Sequence, residues 1–471
     1  MNKNIAISIL DSKNKSDFID VISKVSKKIN NIKLSSIDFF DVIIHYDVMD
    51  NKFVKNIGVD IEDIKIAKKH NLYADVHLMV KYPLEDKYIK KALDYGANSI
   101  TIHYEIDNFE ETLKYLYDKK QDLKNKDFDL TIGVSIKPNT DVGVLKAYEK
   151  YFDKILLMSV EPGLGGQKYI EYTNEKIKFA QKIYKEKIIQ VDGGINYKNL
   201  EKIYRTNIDS MVIGSDISKI SYREDSIFNR LFLYNLIKLN EDLPKDSNVE
   251  FDRKLLSLSK SNDVLLGIKV PKTRKLSNKI YKYTNFDILN YFISSSYHEY
   301  RRFAIFCISN YCKKYLLSKD INSLEEAVNF INKNIKYIDN WDLTDEVGSN
   351  IIGKYYLCLD DEKIKKHVMF YLNSDIVWIK RIGIVSMLPL SRKKREDIVL
   401  FVLDKVLYEN YHLYQKATGW VLRELYKKDN EVVYNFLLKN NKIKKLPSIM
   451  LSYAMEKMTL KQKEQIRKRG K

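Results

Sequence analysis

Two imidazoles and two carboxylates stand at or just past the ends of short β-branched, apolar runs. They are His45 and Asp47 in IIHYDVMD, His77 in YADVHLMV and Asp192 in IIQVDGGIN. Such a set suits one divalent cation such as Zn²⁺, Mn²⁺ or Fe²⁺. Carboxylates flanking a polarised carbonyl can also carry protons, so the four residues read as a metal-assisted proton-transfer site. Taken singly, a strand-end histidine is more often a hydrogen-bonded structural residue; the joint pattern is what points to chemistry. His103, in ITIHYE, also ends a run. It lacks a carboxylate partner of this kind and is expected at most to touch substrate.

Something must position these groups. Apolar runs recur through the first half: NIAISIL, VIIHYDV, YADVHLM, SITIH, LTIGVSI, KILLMSV, KIIQVD and SMVIG. Amphipathic stretches such as DFIDVISKVSKKI lie between several of them. Strand runs alternating with helical pattern imply βαβ units and a parallel sheet. About eight units in roughly 220 residues fit an α/β class (β/α)8 TIM barrel, whose chemistry lies at the C-terminal strand ends. Gly193 and Gly194 follow the seventh run, and Gly214 and Ser215 the eighth, where such barrels bind phosphate. The segment 161–168, with Gly163, Leu164, Gly165 and Gly166, follows the sixth run and is expected to act as a mobile lid. It is not a Walker loop.

The motifs HYDVMDNKFVKN, DVHLMV, GVSIKPNT, LLMSVEPGLGGQKYI, VDGGIN and IGSDI resemble those of ribulose-phosphate 3-epimerase, in that family's order, over residues 1–240. The resemblance implies a cofactor, one divalent cation (Zn, Fe, Mn or Co), held by His45, Asp47, His77 and Asp192. It implies that Asp47 and Asp192 form the acid–base pair on opposite faces of the substrate, with His77 and Ser8 also at the substrate. Met49, Met79 and Met158 would pack around the enediolate, and the glycine loops would hold the 5-phosphate. Three thioethers would give a polarizable, non-protic wall. Three positions depart from the family pattern: Ile7 and Lys55 stand where Pro is usual, and Asn51 where Gly is usual. These bear on substrate preference, so a hexulose-phosphate 3-epimerase is the alternative for this half.

Beyond a polar, Pro-containing stretch at 241–248, read as a linker, the alternating pattern stops. Segments of 3.6-residue apolar period follow, such as YRRFAIFCISNYCKKYL and DIVLFVLDKVLY, which fit an all-α, HEAT-like helical solenoid over 249–471. Charge separates the halves. Of 81 basic and 63 acidic residues, 1–220 hold 35 and 33, leaving 46 and 30 for the remainder. A basic helical array suggests a polyanionic partner such as nucleic acid. NDVLLGIKVPKTRKL, NWDLTDEVGSN, VWIKRIGIV and YQKATGWVLRELYKK resemble the HEAT-like-repeat DNA alkylation repair glycosylases over 250–458. By motif, the resemblance points to Trp341, Asp345, Arg381 and Trp420 as catalytic residues. Asp345 would stabilise an oxocarbenium-like sugar, the two tryptophans would offer π faces to a cation, and Arg381 would clamp a phosphate. The alternative is a non-catalytic array that binds nucleic acid or protein.

Cys307, Cys312 and Cys358 show no paired metal spacing and read as reduced thiols of a cytoplasmic protein. No signal peptide and no membrane span are expected. The basic KQKEQIRKRGK end is expected to fray. Expected partners are a phosphorylated ketose, duplex DNA and, as an option, a second copy of the chain, with no membrane.

Overall fold

The computed structural model describes residues 3–32, 38–249, 253 and 264–469; Asn262 and Asp263 of the NDVLLG motif lie outside these. The chain divides into two compact units, Met1–Asp242 and Leu243–Lys471.

In the first unit eight parallel strands close in chain order into a barrel: β1 (Asn4–Ser8), β2 (Asp41–Met49), β3 (Ala74–Met79), β4 (Ser99–His103), β5 (Thr131–Ile136), β6 (Lys154–Met158), β7 (Ile188–Asp192) and β8 (Ser210–Ile213). β8 pairs back onto β1. The crossover helices are α1 (Lys15–Asn30), α2 (Ile64–Lys69), α3 (Tyr88–Tyr95), α4 (Phe109–Lys124), α5 (Thr173–Ile183), α6 (Leu200–Tyr204), α7 (Ser215–Ser218) and α8 (Glu224–Glu241). Between β5 and β6 the crossover is a 3₁₀ stretch, Val142–Tyr151.

Strand period two sends alternate side chains inward. Thus His45, Asp47 and Met49 share the inner face of β2, and Asp75, His77 and Met79 that of β3. The register sets Asp47 beside His77 and Met49 beside Met79. Ser8 pairs with His45, and Met158 with Asp192. One side of the interior is apolar, a cluster of Ala6, Leu156, Met158, Val160 and Val212. β2–β4 carry the histidines with Asp47 and Asp75, and Asp192 joins them from the end of β7. Gly133 on β5 makes room for a crossing charge: a β-carbon there would lie 2.2 Å from Thr101 Oγ1 and 2.9 Å from Lys154 Cε. Lys154 thereby reaches Asp75 from β6.

α8 belongs to the barrel to its last residue. Arg205 donates to Glu241 from Nε at 2.9 Å and Nη2 at 2.7 Å, and Tyr204 Oη donates to Asp242 at 2.6 Å. The boundary therefore falls after Asp242, two residues beyond the expected one.

The second unit is helical in two layers. One layer runs α9 (His298–Ser318), α11 (Trp341–Val347), α13 (Val377–Val385), α15 (His412–Tyr426) and α17 (Ser448–Ala454), each packed on the next. Against it pack α10 (Ile321–Lys333), α12 (Asp361–Leu372), α14 (Glu396–Val406) and α16 (Asn430–Ile443). Side-chain caps set several starts: Asp320, Asp360 and Asp429 accept from the backbone three residues on. The C-terminal segment, expected from its sequence to fray, is helical over its described part, to residue 469. It forms α18 (Leu460–Arg469), with Ile466 fully buried and its carbonyl accepting from Asn441 Nδ2 at 2.7 Å. No helix among the described residues is long and apolar enough to cross a membrane.

Candidate functional site

The ligand-type atoms of His45, Asp47, His77 and Asp192 all lie within 4.8 Å of one another. Both histidines are completely buried, while Asp47 and Asp192 face the cavity at the C-terminal mouth of the barrel. That cavity also takes Ser8, Met49, Met79, Met158, Gly163, Leu164, Gly165, Gly166, Gly193, Gly194, Gly214 and Ser215 in its wall. His77, expected at the substrate, lies behind Asp47 and lines no part of it.

Each imidazole has a fixed back partner. His45 Nδ1 lies 2.9 Å from Asp75 Oδ2, and Asp75 is held by Lys154 and by Gln190 Nε2 at 3.0 Å. Burial opposes the charge on Asp75, but Lys154 and His45 keep it well below the usual carboxylate range. His45 Nε2 points to Asp47 Oδ1 at 3.3 Å but makes no hydrogen bond, leaving a buried polar atom for a cation to satisfy. Burial lowers the His45 pKa, yet Asp47 and Asp75 lift it to about 10. His77 Nδ1 sits 3.2 Å from Asp47 Oδ1 and 3.9 Å from Asp192 Oδ2. Burial is the main reason its pKa falls to about 4.

The two carboxylates are driven apart. Ser8 Oγ donates to Asp47 Oδ2 at 2.8 Å. Although burial works the other way, the two histidines hold Asp47 far below the carboxylate range. Burial and the neighbouring Asp47 charge push Asp192 up to about 7. One acid and one base within a single cluster is the arrangement proton transfer needs.

His103 differs from its expectation. It has a carboxylate partner, with Nδ1 3.0 Å from Glu105 Oε2, and its Nε2 meets His77 Nε2 at 3.0 Å. Sequence reading also missed Asp75. Its signal was period two: Asp75 is two residues before His77 on the same face of β3, whereas Glu105 lies in the turn just past the end of β4.

The loops are built by backbone. Gly193 and Gly194 have φ of 118° and 66°, and a β-carbon on Gly194 would meet Tyr169 N at 2.3 Å. Asn51 keeps the left-handed turn that the usual glycine would make, at φ 57°. Ile7 is buried within β1, and Lys55 is exposed. Asn56 Nδ2 donates to Gly163 O at 2.7 Å, joining the loop after β2 to the loop after β6.

Residues 6–218 match the ribulose-phosphate 3-epimerase family. Ribulose-phosphate 3-epimerase from Aquifex aeolicus is 36% identical over 181 residues, 37% of this chain and 77% of that protein. This chain belongs to the ribulose-phosphate 3-epimerase family. The same enzyme from Buchnera aphidicola subsp. Baizongia pistaciae is 38% identical over 202 residues, 39% of this chain and 83% of that protein. The epimerase barrel is thus an isomerase, with a His/Asp cluster able to hold a metal ion. It is fused to a DNA alkylation repair domain, since residues 239–458 match the DNA alkylation repair enzyme family. A solved structure titled "Predicted DNA alkylation repair enzyme from Enterococcus faecalis" is 18% identical and covers 46% of this chain and 99% of that chain. The TM-score to that structure is 0.36.

In the repair domain Asp345 and Arg381 come together. Nε and Nη2 of Arg381 each donate to Asp345 at 2.8 Å, and Nη1 donates to Leu413 O at 2.6 Å. Close packing sets this pair: a β-carbon on Gly348, just after α11, would lie 2.9 Å from Val385 Cβ and 3.1 Å from Ile382 O of α13. Burial raises the Asp345 pKa against the pull of Arg381. Trp341 opens α11 and is half-buried. Trp420, also half-buried, lies roughly two turns along α15 from Leu413, about 10 Å by helix rise. Sequence reading missed His298, whose Nε2 lies 2.8 Å from Asp342 Oδ2. Burial notwithstanding, His298 keeps Asp342 below the usual carboxylate range.

Proposed function

We propose that the barrel interconverts D-ribulose 5-phosphate and D-xylulose 5-phosphate by a two-carboxylate proton transfer. The observation that carries this is the convergence of His45, Asp47, His77 and Asp192, whose two carboxyl groups face the cavity with opposed proton affinity while the histidines lie beneath them. A divalent cation there would supply positive charge to the oxygens of the intermediate. Asp47, ionised, takes the proton from the carbon beside the ketone. Asp192 returns one to the opposite face. Ser8 orients Asp47 through its 2.8 Å bond, and the three methionines keep protic groups from the carbanionic carbon. The backbone N–H groups at Gly193, Gly194, Gly214 and Ser215 hold the phosphate. The test is turnover of D-ribulose 5-phosphate by the full chain before and after chelation, then with Zn²⁺, Mn²⁺, Fe²⁺ or Co²⁺ added back. Full activity after exhaustive chelation would overturn the metal-assisted reading.

For the helical unit we infer a HEAT-like array that binds duplex DNA and releases alkylated purines, with Asp345 facing the developing sugar cation. The family match and the excess of basic residues support it. The earlier expectation for Arg381 changes. Three of its five N–H groups serve Asp345 and Leu413 O, so it orients the carboxylate, and two N–H groups are left over for a phosphate. Incubation with methylated duplex DNA should release 3-methyladenine or 7-methylguanine. Salt-dependent binding without release would favour a non-catalytic array.

A further inference from the structure

Behind the cluster, a second imidazole reaches His77 on the ring edge that faces away from Asp47. His103 Nε2 lies 3.0 Å from His77 Nε2, and the rings stack at 5.0 Å between centroids with 29° between planes. Two ring nitrogens at this distance share one proton, so one donates and the other accepts. Which one donates is decided further back. Glu105 Oε1 already accepts from Lys137 N at 2.8 Å and from Thr140 Oγ1 at 2.5 Å. Its other oxygen, Oε2, faces His103 Nδ1 at 3.0 Å. A carboxylate only accepts, so His103 carries its proton on Nδ1 and offers Nε2 as a lone pair. His77 must then donate from Nε2: Asp47 Oδ1, 3.2 Å from its Nδ1, competes for that proton, and the shorter 3.0 Å contact with the fixed His103 lone pair draws it to Nε2, leaving Nδ1 bare toward Asp47.

We propose that Glu105 and His103 are positioning residues that fix the tautomer of His77, protonated on Nε2, so that Nδ1 is presented to the cluster as a lone pair. His45 is set the opposite way: Asp75 takes its Nδ1–H and leaves Nε2 to face Asp47. The two histidines therefore offer different nitrogens to the same point, each fixed by its own carboxylate. Outer partners of this type hold ligand orientation and affinity in metal sites. The affinity part of the inference rests on the cluster being a cation site; the tautomer part does not.

The test uses the full chain with ¹⁵N-labelled histidine, first free of metal. The His77 ring is expected to show a protonated Nε2 and a bare Nδ1. Glu105→Gln preserves shape and should invert the relay. The amide oxygen keeps the place that accepts from Lys137 and Thr140, and the amide NH₂ now donates to His103 Nδ1. His103 then donates from Nε2, and His77 is driven to carry its proton on Nδ1. Zn²⁺ affinity should fall roughly 10–100-fold. His103→Phe removes the acceptor and should leave His77 a mixture of tautomers, with weakened Zn²⁺ binding. A wild-type His77 protonated on Nδ1 overturns the proposal. So does a folded Glu105→Gln protein whose His77 tautomer and Zn²⁺ affinity are unchanged. A wild type that keeps the expected tautomer yet binds no Zn²⁺ overturns the cation-site reading while upholding the relay.

Discussion

The barrel and the helical unit each bury carboxylates, and they compensate the charge in different ways. In the helical unit Asp345 meets a guanidinium supplied by the chain, two bonds of 2.8 Å that close the pair on itself. In the barrel, Asp47 and Asp192 face each other across two imidazoles whose back nitrogens are already taken. The first arrangement is complete within the protein. In the second only Asp47 has close partners, Ser8 and the two histidines, while burial and the Asp47 charge favour the protonated form of Asp192, which can therefore exchange a proton. A carboxylate becomes reactive by being left uncompensated, whereas a built-in partner makes it an oriented, fixed charge.

The sharpest test of this contrast is Asp192→Asn, which should lower epimerase kcat by about 10²–10⁴ with little change in KM. The phosphate loops are untouched, while a proton carrier and one anionic member of the four-residue cluster are lost. Near-normal turnover in steady-state assays would erase the distinction. Next in size is Arg381→Ala in the helical unit. It strands Asp345 in a mostly buried place and should destabilise the unit by about 3–5 kcal/mol, measured by denaturant melts. The paired change Asp345→Leu with Arg381→Met should recover most of that loss. If Arg381→Ala melts like the wild type, the pair is not the closed structural unit described.

A smaller effect should appear in metal uptake. With His45 near 10 and Asp192 near 7, two protons must leave before all four ligands can face a cation. Raising the pH removes competing protons, so apparent Zn²⁺ affinity should rise from pH 6 to 8. The slope should be steeper below about pH 7, where Asp192 holds its proton, and about tenfold per unit above it, where only the His45 proton competes. Calorimetric titrations in buffers of different ionisation enthalpy would count the released protons. An affinity flat with pH would show that these groups are not the ligands.

The smallest effect concerns the boundary. A fragment of residues 1–242 should fold and epimerise alone. One ending at Leu239 loses the Arg205 and Tyr204 partners and should be less stable by about 1–3 kcal/mol in a denaturant melt.

What could be read without coordinates follows from how local each signal is. Period two in β2, β3 and β7 placed His45, Asp47, His77 and Asp192 at strand ends on an inner face, so the cluster was legible. Asp75 stood in the quoted DVHLMV but was absorbed into the apolar run. Its role depends on Lys154, which lies on β6 and reaches it only because the barrel closes. The Asp345–Arg381 pair joins helices 36 positions apart, and no periodicity links them. The last helix buries one apolar residue, Ile466, while Leu460 is exposed and the other side chains are charged or amide. A 3.6-residue pattern needs more than one such residue to be visible.

Gly133 ties three strands together in a way that bears on how this barrel can change over generations. Any side chain there collides with Thr101 and Lys154, and displacing Lys154 unmasks Asp75, the partner of His45. A first step at 133 or 154 is therefore harmful unless its neighbours have already shifted. Drift at these positions must proceed in a fixed order or together, so a single missing methyl group constrains the paths open to a site two layers above it.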